Sequence, residues 1–91
     1  MGFPKFNKDP DAILDYGFNW VEWLEEGETI VSAVWIIPNG ISLDSQAEST
    51  IETLAWLSGG TVGISYNITC HITTSAGRED DRTLTIKVIQ R

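Results

Sequence analysis

The sequence predicts an all-β protein, an antiparallel β-sandwich of about seven strands with a short N-terminal arm. Short apolar segments recur at spacings of about ten residues, turn residues separate them, and no segment has the apolar period of an amphipathic helix. Such spacing is typical of immunoglobulin-like sandwiches. A chain of 91 residues has room for one domain. We therefore predict an arm over residues 1–12 and the sandwich over residues 13–91.

The first elements after the arm are short. Residues 13–18 are predicted as the first strand, whereas the apolar positions within residues 19–24 fit a single helical turn. Residues 29–37 are the most strongly predicted strand, because they are uncharged and rich in β-branched side chains. This segment lacks polar alternation, which indicates either burial on both faces or a bulge that swaps the faces midway.

The middle of the chain is predicted from its turn residues. Asn39 and Gly40 both tolerate the positive φ of a type I′ turn, so they predict a hairpin. Residues 41–45 are then the returning strand, and residues 45–49 are a polar loop. Residues 50–57 are predicted as the next strand, because their apolar side chains alternate between two faces.

Two C-terminal segments alternate most regularly. Residues 64–74 and 83–89 place apolar side chains at every second position, and a charged loop over residues 75–82 joins them. This pattern predicts an antiparallel hairpin with one solvated face. The side chains predicted to point inward include Tyr66, Ile68, Cys70, Leu84 and Ile86.

Tyr66 has a predicted structural role of its own. It follows the glycine-rich stretch over residues 58–63 at the start of a long strand. Sandwich domains place a tyrosine at such a corner, where its hydroxyl bonds to nearby backbone. Trp35 is predicted to fill the core, whereas Trp20 and Trp23 are predicted either to cover the core or to contact a partner.

Charge and composition exclude several function classes. The net charge is −7, and no Lys or Arg occurs from Thr29 to Gly77. Without a basic stripe, binding to nucleic acid or to an anionic membrane is not expected. The N-terminus lacks the apolar run of a signal peptide, and no stretch reaches the ~18 apolar residues of a membrane span. The single cysteine, Cys70, cannot form an internal disulfide, which suits synthesis in a reducing cytoplasm.

No residue is predicted to be catalytic, to ligate a metal or to bind a cofactor. Cys70 and His71 are adjacent on a strand, so their side chains point to opposite faces and cannot form a nucleophile–base pair. The acidic run Glu79–Asp81 lies between Arg78 and Arg82, which favours a solvated loop over a cation site. An enzymatic function is therefore not expected.

The order of several short motifs resembles a family of small tailed-phage and prophage proteins, which are immunoglobulin-like tail and fibre-tail adaptor components. The motifs are KDPDAILDYGF (8–18), WL (23–24) followed by GETI (27–30), WLSGGT (56–61), and ITTSAGR (72–78) with DRTLTI (81–86). The resemblance runs from about residue 8 to residue 89.

The resemblance implies a non-enzymatic structural component of a phage virion, a tail or fibre-tail adaptor that joins virion subunits. It implies other virion proteins as partners, a homo-oligomer in the assembled particle, and synthesis in the cytoplasm of a host bacterium. The alternative is a stand-alone immunoglobulin-like module that recognises carbohydrate or a host surface protein, because this fold supports both functions.

The predicted partner contacts lie near the chain's basic residues. The resemblance and the exposure expected of a charged loop point to the hairpin over residues 77–82. The basic ends flank an acidic middle, so copies are expected to meet head to tail, with the arm ordered only against a neighbour. The predicted contact residues are Trp20, Trp23, Arg78, Asp80, Asp81 and Arg82.

Overall fold

The computed structural model describes residues 4–90 as seven β-strands in two packed sheets. A four-stranded sheet has the order β1-β7-β6-β3, and a three-stranded sheet has the order β2-β5-β4. All neighbours pair antiparallel except β1 and β7, which are parallel. The all-β prediction and the seven strands are confirmed. Their bounds are β1 Lys5–Lys8, β2 Leu14–Asn19, β3 Ile30–Ile36, β4 Ile41–Glu48, β5 Glu52–Gly59, β6 Ser65–Thr74 and β7 Glu79–Val88.

The core lies between the sheets and is built on the C-terminal hairpin. Tyr66 of β6 lies opposite Ile86 of β7, and Ile68 lies opposite Leu84. All five side chains predicted to point inward are buried, so the predicted register is confirmed. Each such apolar side chain contributes roughly 1.5–3 kcal/mol when buried, which fixes the register because a slip by one residue would expose them all.

The corner predicted at Tyr66 is also confirmed. The Thr61 backbone N–H donates to the Tyr66 hydroxyl at 2.9 Å, and the ring is buried. Gly40 lies against the same hydroxyl, because a Cβ built on Gly40 would approach it to 3.0 Å. One hydrogen bond thus ties the β5–β6 connection to the start of β6, and Gly40 lets the β3–β4 connection pass over it.

The hairpin predicted at Asn39 and Gly40 is wrong. β3 pairs with β6 in one sheet and β4 pairs with β5 in the other, so the connection crosses between the sheets. Gly40 has a φ of 102°, but no residue other than glycine has a positive φ in the part of the chain that the structure describes. A type I′ turn would need positive φ at both positions.

Two predicted loops are partly strand. β4 continues to Glu48, into the predicted loop over residues 45–49. β7 begins at Glu79, so only residues 75–78 of the predicted loop over 75–82 form the turn. The charged residues at the start of β7 pair with residues 70–73 of β6, and their own side chains are exposed or half-buried. Ile64, placed inward by alternation, precedes β6 and is exposed.

β3 contains the bulge that the sequence left as one of two alternatives. Its register against β6 shifts between Ile30 and Ser32. Burial on both faces is wrong, because Val31, Val34 and Ile36 are 57%, 55% and 56% exposed. β3 lies at the edge of its sheet, and these side chains point away from the core.

Part of the predicted arm belongs to the sandwich. β1 pairs with β7 of the same chain, and Lys8 is buried with its Nζ donating to the carbonyls of Asp9 and Gly59. The expectation that the arm orders only against a neighbour is therefore wrong for β1. Residues 1–3 lie outside the described residues, and the boundary after residue 12 stays a prediction.

Candidate interaction surface

The helical turn after β2 places Trp20 and Trp23 at one end of the sandwich. The N–H groups of Trp23 and Leu24 both donate to the Trp20 carbonyl, which confirms the predicted single turn. Trp20 is wholly buried, and its indole Nε1 donates to the Thr53 hydroxyl at 3.0 Å. Its ring meets that of Trp23 edge-on at 5.8 Å. Trp20 thus belongs to the core, while Trp23 packs half-buried at its margin.

Arg78 is held by an ion pair within the chain. Its Nε donates to Glu28 Oε2 at 2.9 Å, and its Nη2 also contacts Glu28 Oε1. The Glu28 side chain is only 3% exposed, and Thr74 donates a further hydrogen bond to it. The hydrogen bonds from Arg78, then from Thr74 and from the Glu25 backbone, lower the pKa of Glu28 to about 2. The pair therefore stays charged throughout the neutral range.

The Arg78 guanidinium also lies 4.0 Å above the Trp23 ring and donates to the Trp23 carbonyl. Such a cation–π contact adds about 0.5–1 kcal/mol at a partly exposed site. Arg78 therefore fixes the hairpin turn to the helical turn, since one guanidinium contacts Glu28, an indole face and a backbone carbonyl.

Arg82 of β7 makes contacts of the same kind as Arg78, with an indole face and a backbone carbonyl. Its guanidinium lies 4.2 Å above the Trp20 ring, and its Nη1 donates to the Asn19 carbonyl at 3.0 Å. No carboxylate within residues 4–90 forms an ion pair with it. Together with Val21 and Glu22 it lines a shallow depression of about 350 Å³. Its charge remains available to a partner.

The two predicted acidic contacts lie on opposite faces of β7. Asp80 lies on the same face as Arg78 and Arg82. Asp81 lies on the opposite, outward face with His71. His71 Nδ1 contacts Asp81, and its Nε2 lies 2.8 Å from Glu79. The hydrogen bonds to Glu79 and then to Asp81 raise the pKa of His71. Four predicted site residues, Trp20, Trp23, Arg78 and Arg82, thus form one cluster to which Asp81 does not belong.

Two further surfaces were not predicted from the sequence. One is the exposed apolar edge of β3, whose uncharged run predicts burial on both faces or a bulge but does not reveal an exposed edge. The other is a groove of about 540 Å³ on the three-stranded sheet, floored by Gly17, Ala47 and Leu54. Gly17 presents no side chain at this floor, and a Cβ there would lie 2.4 Å from the Thr53 carbonyl oxygen. Gly17 lies inside a predicted strand, and a glycine at such a position can indicate a site of close approach.

The described residues offer no group of three or more side chains that could hold a metal ion. Within residues 4–90, no helix is long and apolar enough to cross a membrane. Three surface features stand out on the described residues: the Arg82 depression, the β3 edge and the groove on the other sheet.

Comparison with known proteins yields one family and one fold. A family model described as podophage GP4 fiber-tail adaptor protein gp77 matches residues 8–87. The solution structure of the PKD domain from the KIAA 1837 protein is similar with a TM-score of 0.62 and 16% sequence identity, covering 100% of this chain and 83% of that chain. No curated protein matches. At this identity the structural likeness concerns the fold alone, and it confirms the predicted immunoglobulin-like sandwich.

Proposed function

The chain belongs to the podophage GP4 fiber-tail adaptor family, and from this premise we propose that it joins a tail fibre to the tail of a podophage virion. The match over residues 8–87 carries the proposal, because it spans nearly the whole chain. It also confirms the family resemblance that the order of the short motifs indicates.

An adaptor must bind two partners at once, so it needs two separate surfaces. The Arg82 depression lies beside β7, and the apolar edge lies on β3, with β6 between them. One surface is polar and carries the Arg82 guanidinium, which lies over Trp20 and forms no ion pair within residues 4–90, and the other is uncharged. The sandwich between them is held by a continuous core, so it can keep two partners at a fixed distance.

The role is structural and non-enzymatic. We place the protein in the virion, after synthesis in the cytoplasm of the host bacterium, with other virion proteins as partners and several copies per particle. Arg82 is the predicted contact residue best placed to pair with a partner's carboxylate. Arg78, Trp23 and Trp20 support it from within the chain, since they hold the turn on which that surface rests.

A stand-alone module that binds carbohydrate would need exposed aromatic rings on one face. The exposed aromatic side chains among the described residues are Phe6 and Trp56, and they lie on different sheets. No observation on the described residues favours this alternative.

The test is to delete the gene from the phage genome and to count fibres per particle by electron microscopy. We expect tails that lack fibres, and fibre attachment on adding purified protein to such particles with isolated fibres. Complementation with the wild-type gene is the control. Particles that carry a normal number of fibres without the protein would contradict the adaptor function.

A further inference from the structure

We propose that the free edge of β3 accepts an extended, basic strand of a partner virion protein, which continues the four-stranded sheet. The proposal rests on the adaptor function and names how one of its two partners binds. Of the four edge strands in the two sheets, β3 alone has neither a charged residue nor a proline within or directly before it.

The other three edges carry the devices with which proteins block edge pairing. β1 has four residues, follows Pro4 and includes Lys5 and Lys8. β2 carries Asp15 and is interrupted by Gly17. β4 has a register shift between Leu43 and Ser45, and it carries charge along its length. β3 also has a bulge, between Ile30 and Ser32, but its regular part from Ala33 to Ile36 carries no charge, proline or bulge, so this part of the edge is open to pairing.

The backbone of β3 presents pairing groups to the free edge. The Ala33 carbonyl accepts from Gln46 Nε2 of the other sheet at 3.5 Å, so it points away from β6. In an antiparallel pair both backbone groups of a residue point to the same side, and successive residues alternate. Ala33 and Trp35 therefore direct their N–H and C=O groups to the free edge, whereas Val34 and Ile36 bond to β6.

The side chains around this edge define the partner. A strand added beside Val34 and Ile36 would cover their exposed outer faces, which favours β-branched or aromatic partner residues there. On the inner side, Gln46 and Glu48 lie opposite the buried Ala55 and Thr53, so they point toward the other sheet. Both are nevertheless exposed, because the four-stranded sheet ends at β3 and no further strand covers them.

Glu48 specifies the charge of the partner. An added strand would cover its carboxylate, and a covered carboxylate needs a cation. The chain has no Lys or Arg between Thr29 and Gly77 that could supply it. An inward-facing Lys or Arg of the partner strand would pair with Glu48. A second copy of the chain would bring another uncharged β3, which leaves Glu48 without a cation.

The first test combines Val34→Lys with Ile36→Lys, which adds charge to the edge without touching the core. The matched control is Ile13→Lys, because Ile13 is 58% exposed and precedes β2 on the other sheet. Purified protein is added to adaptor-less particles and, separately, to isolated fibres, and retention is measured by sedimentation. We expect one of the two retentions to fall at least ten-fold for the double variant and to stay within two-fold for the control.

Amide hydrogen exchange gives a measurement that does not depend on variants. We expect the Ala33 and Trp35 amides to exchange fast in the free protein and at least a hundred-fold more slowly in the assembled tail. The amides of Val34 and Ile36 are slow in both states, because they bond to β6. Equal exchange of Ala33 and Trp35 in both states would overturn the proposal.

Two outcomes overturn parts of the assignment. Glu48→Gln is expected to weaken retention several-fold, with Glu52→Gln as control, so unchanged retention would reject a basic partner. A dimer of the free protein that the double variant abolishes would make a second copy the occupant. If gene-deleted particles lack fibres but the double variant restores them fully, the edge-strand proposal fails while the adaptor function stands.

Discussion

Glu28 couples folding to pH in this protein. Its carboxylate is almost fully buried and accepts from Arg78, Thr74 and the Glu25 backbone, which lowers its pKa to about 2. In the unfolded chain the same carboxyl titrates at its ordinary value of 4.5. Because the folded pKa is the lower one, the pair stabilises the fold fully above about pH 4.5, and this contribution is lost as the pH falls toward 2.

We predict that Glu28→Gln lowers the urea midpoint at pH 6 and that its midpoint then falls less between pH 6 and pH 3 than that of the wild type. Glutamine keeps the shape of the side chain but removes the charge that Arg78 requires. Glu26→Gln, an exposed change nearby, is the control for general charge effects. Equal losses between pH 6 and pH 3 in wild type and Glu28→Gln would show that this ion pair does not cause the acid sensitivity.

Tyr66→Phe tests the corner hydrogen bond. The change removes the hydroxyl that accepts from the Thr61 N–H and leaves the ring in place. We expect a loss of about 1 kcal/mol in the free energy of unfolding, the usual value for one neutral hydrogen bond. Thr61→Ala is the matched control because it keeps the backbone donor, so it is expected to change stability little. A Tyr66→Phe variant as stable as wild type in urea would rule out a stabilising corner.

At the scale of elements, the β5–β6 connection depends on two glycines with similar backbones and different surroundings. Gly60 has a φ of 99°, and a Cβ there would lie 2.5 Å from Val88 Cγ2. Gly63 has a φ of 89° but nothing within 4 Å. Gly63→Ala therefore measures the backbone strain alone, at about 1–2 kcal/mol. Gly60→Ala adds a clash with a buried side chain, so we expect it to cost more in thermal unfolding. Equal losses would mean that Val88 moves aside freely.

The alternation of apolar and polar residues predicted the buried face of each strand well. It predicted less well which strands lie next to each other in a sheet. Alternation in β6 and β7 reports burial directly, because each inward side chain must be apolar, and there the prediction held. The Asn39–Gly40 pair is a local signal, whereas the sheet that receives β4 is decided by long-range packing. Likewise, exposed apolar residues on β3 match a buried strand in composition. Only the sheet order reveals that β3 is an edge.

The cluster that Trp20, Trp23, Arg78 and Arg82 form was predictable in part, and its role as a partner contact stays a prediction. The resemblance and the charged loop pointed to Arg78 and Arg82, and both lie over the indoles of the helical turn. That the carboxylate of Glu28 engages Arg78 could not be predicted, since 50 residues separate the two in the chain. The arginines thus share a cluster. Only the fold shows that Arg78 is paired within the chain while Arg82 has no carboxylate partner among the described residues.

At the scale of the whole molecule, few of the positive charges are available to partners. The net charge is −7 with six Lys and Arg residues in the chain. Lys8 is buried against backbone carbonyls, and Arg78 is paired with Glu28. Of the described bases, Lys5, Arg82 and Lys87 remain. A head-to-tail contact between copies, as the sequence suggested, would therefore depend on few ion pairs. Each is weak alone, so binding would need many copies in the particle.

Charge reversal separates these roles. Arg78→Glu would place a second carboxylate against Glu28, so we expect it to destabilise the fold and to report nothing about partners. Arg82→Glu breaks a cation–π contact and one backbone hydrogen bond, so the variant should fold with a modestly lower melting temperature. Lys87→Glu, an equal charge change on the outer face of β7, is the control. We expect Arg82→Glu protein to be depleted at least several-fold from purified particles, while Lys87→Glu protein is incorporated normally. Normal incorporation of folded Arg82→Glu protein would show that the surface beside β7 is not an interface, and depletion of both variants alike would point to the net charge of the protein as the cause.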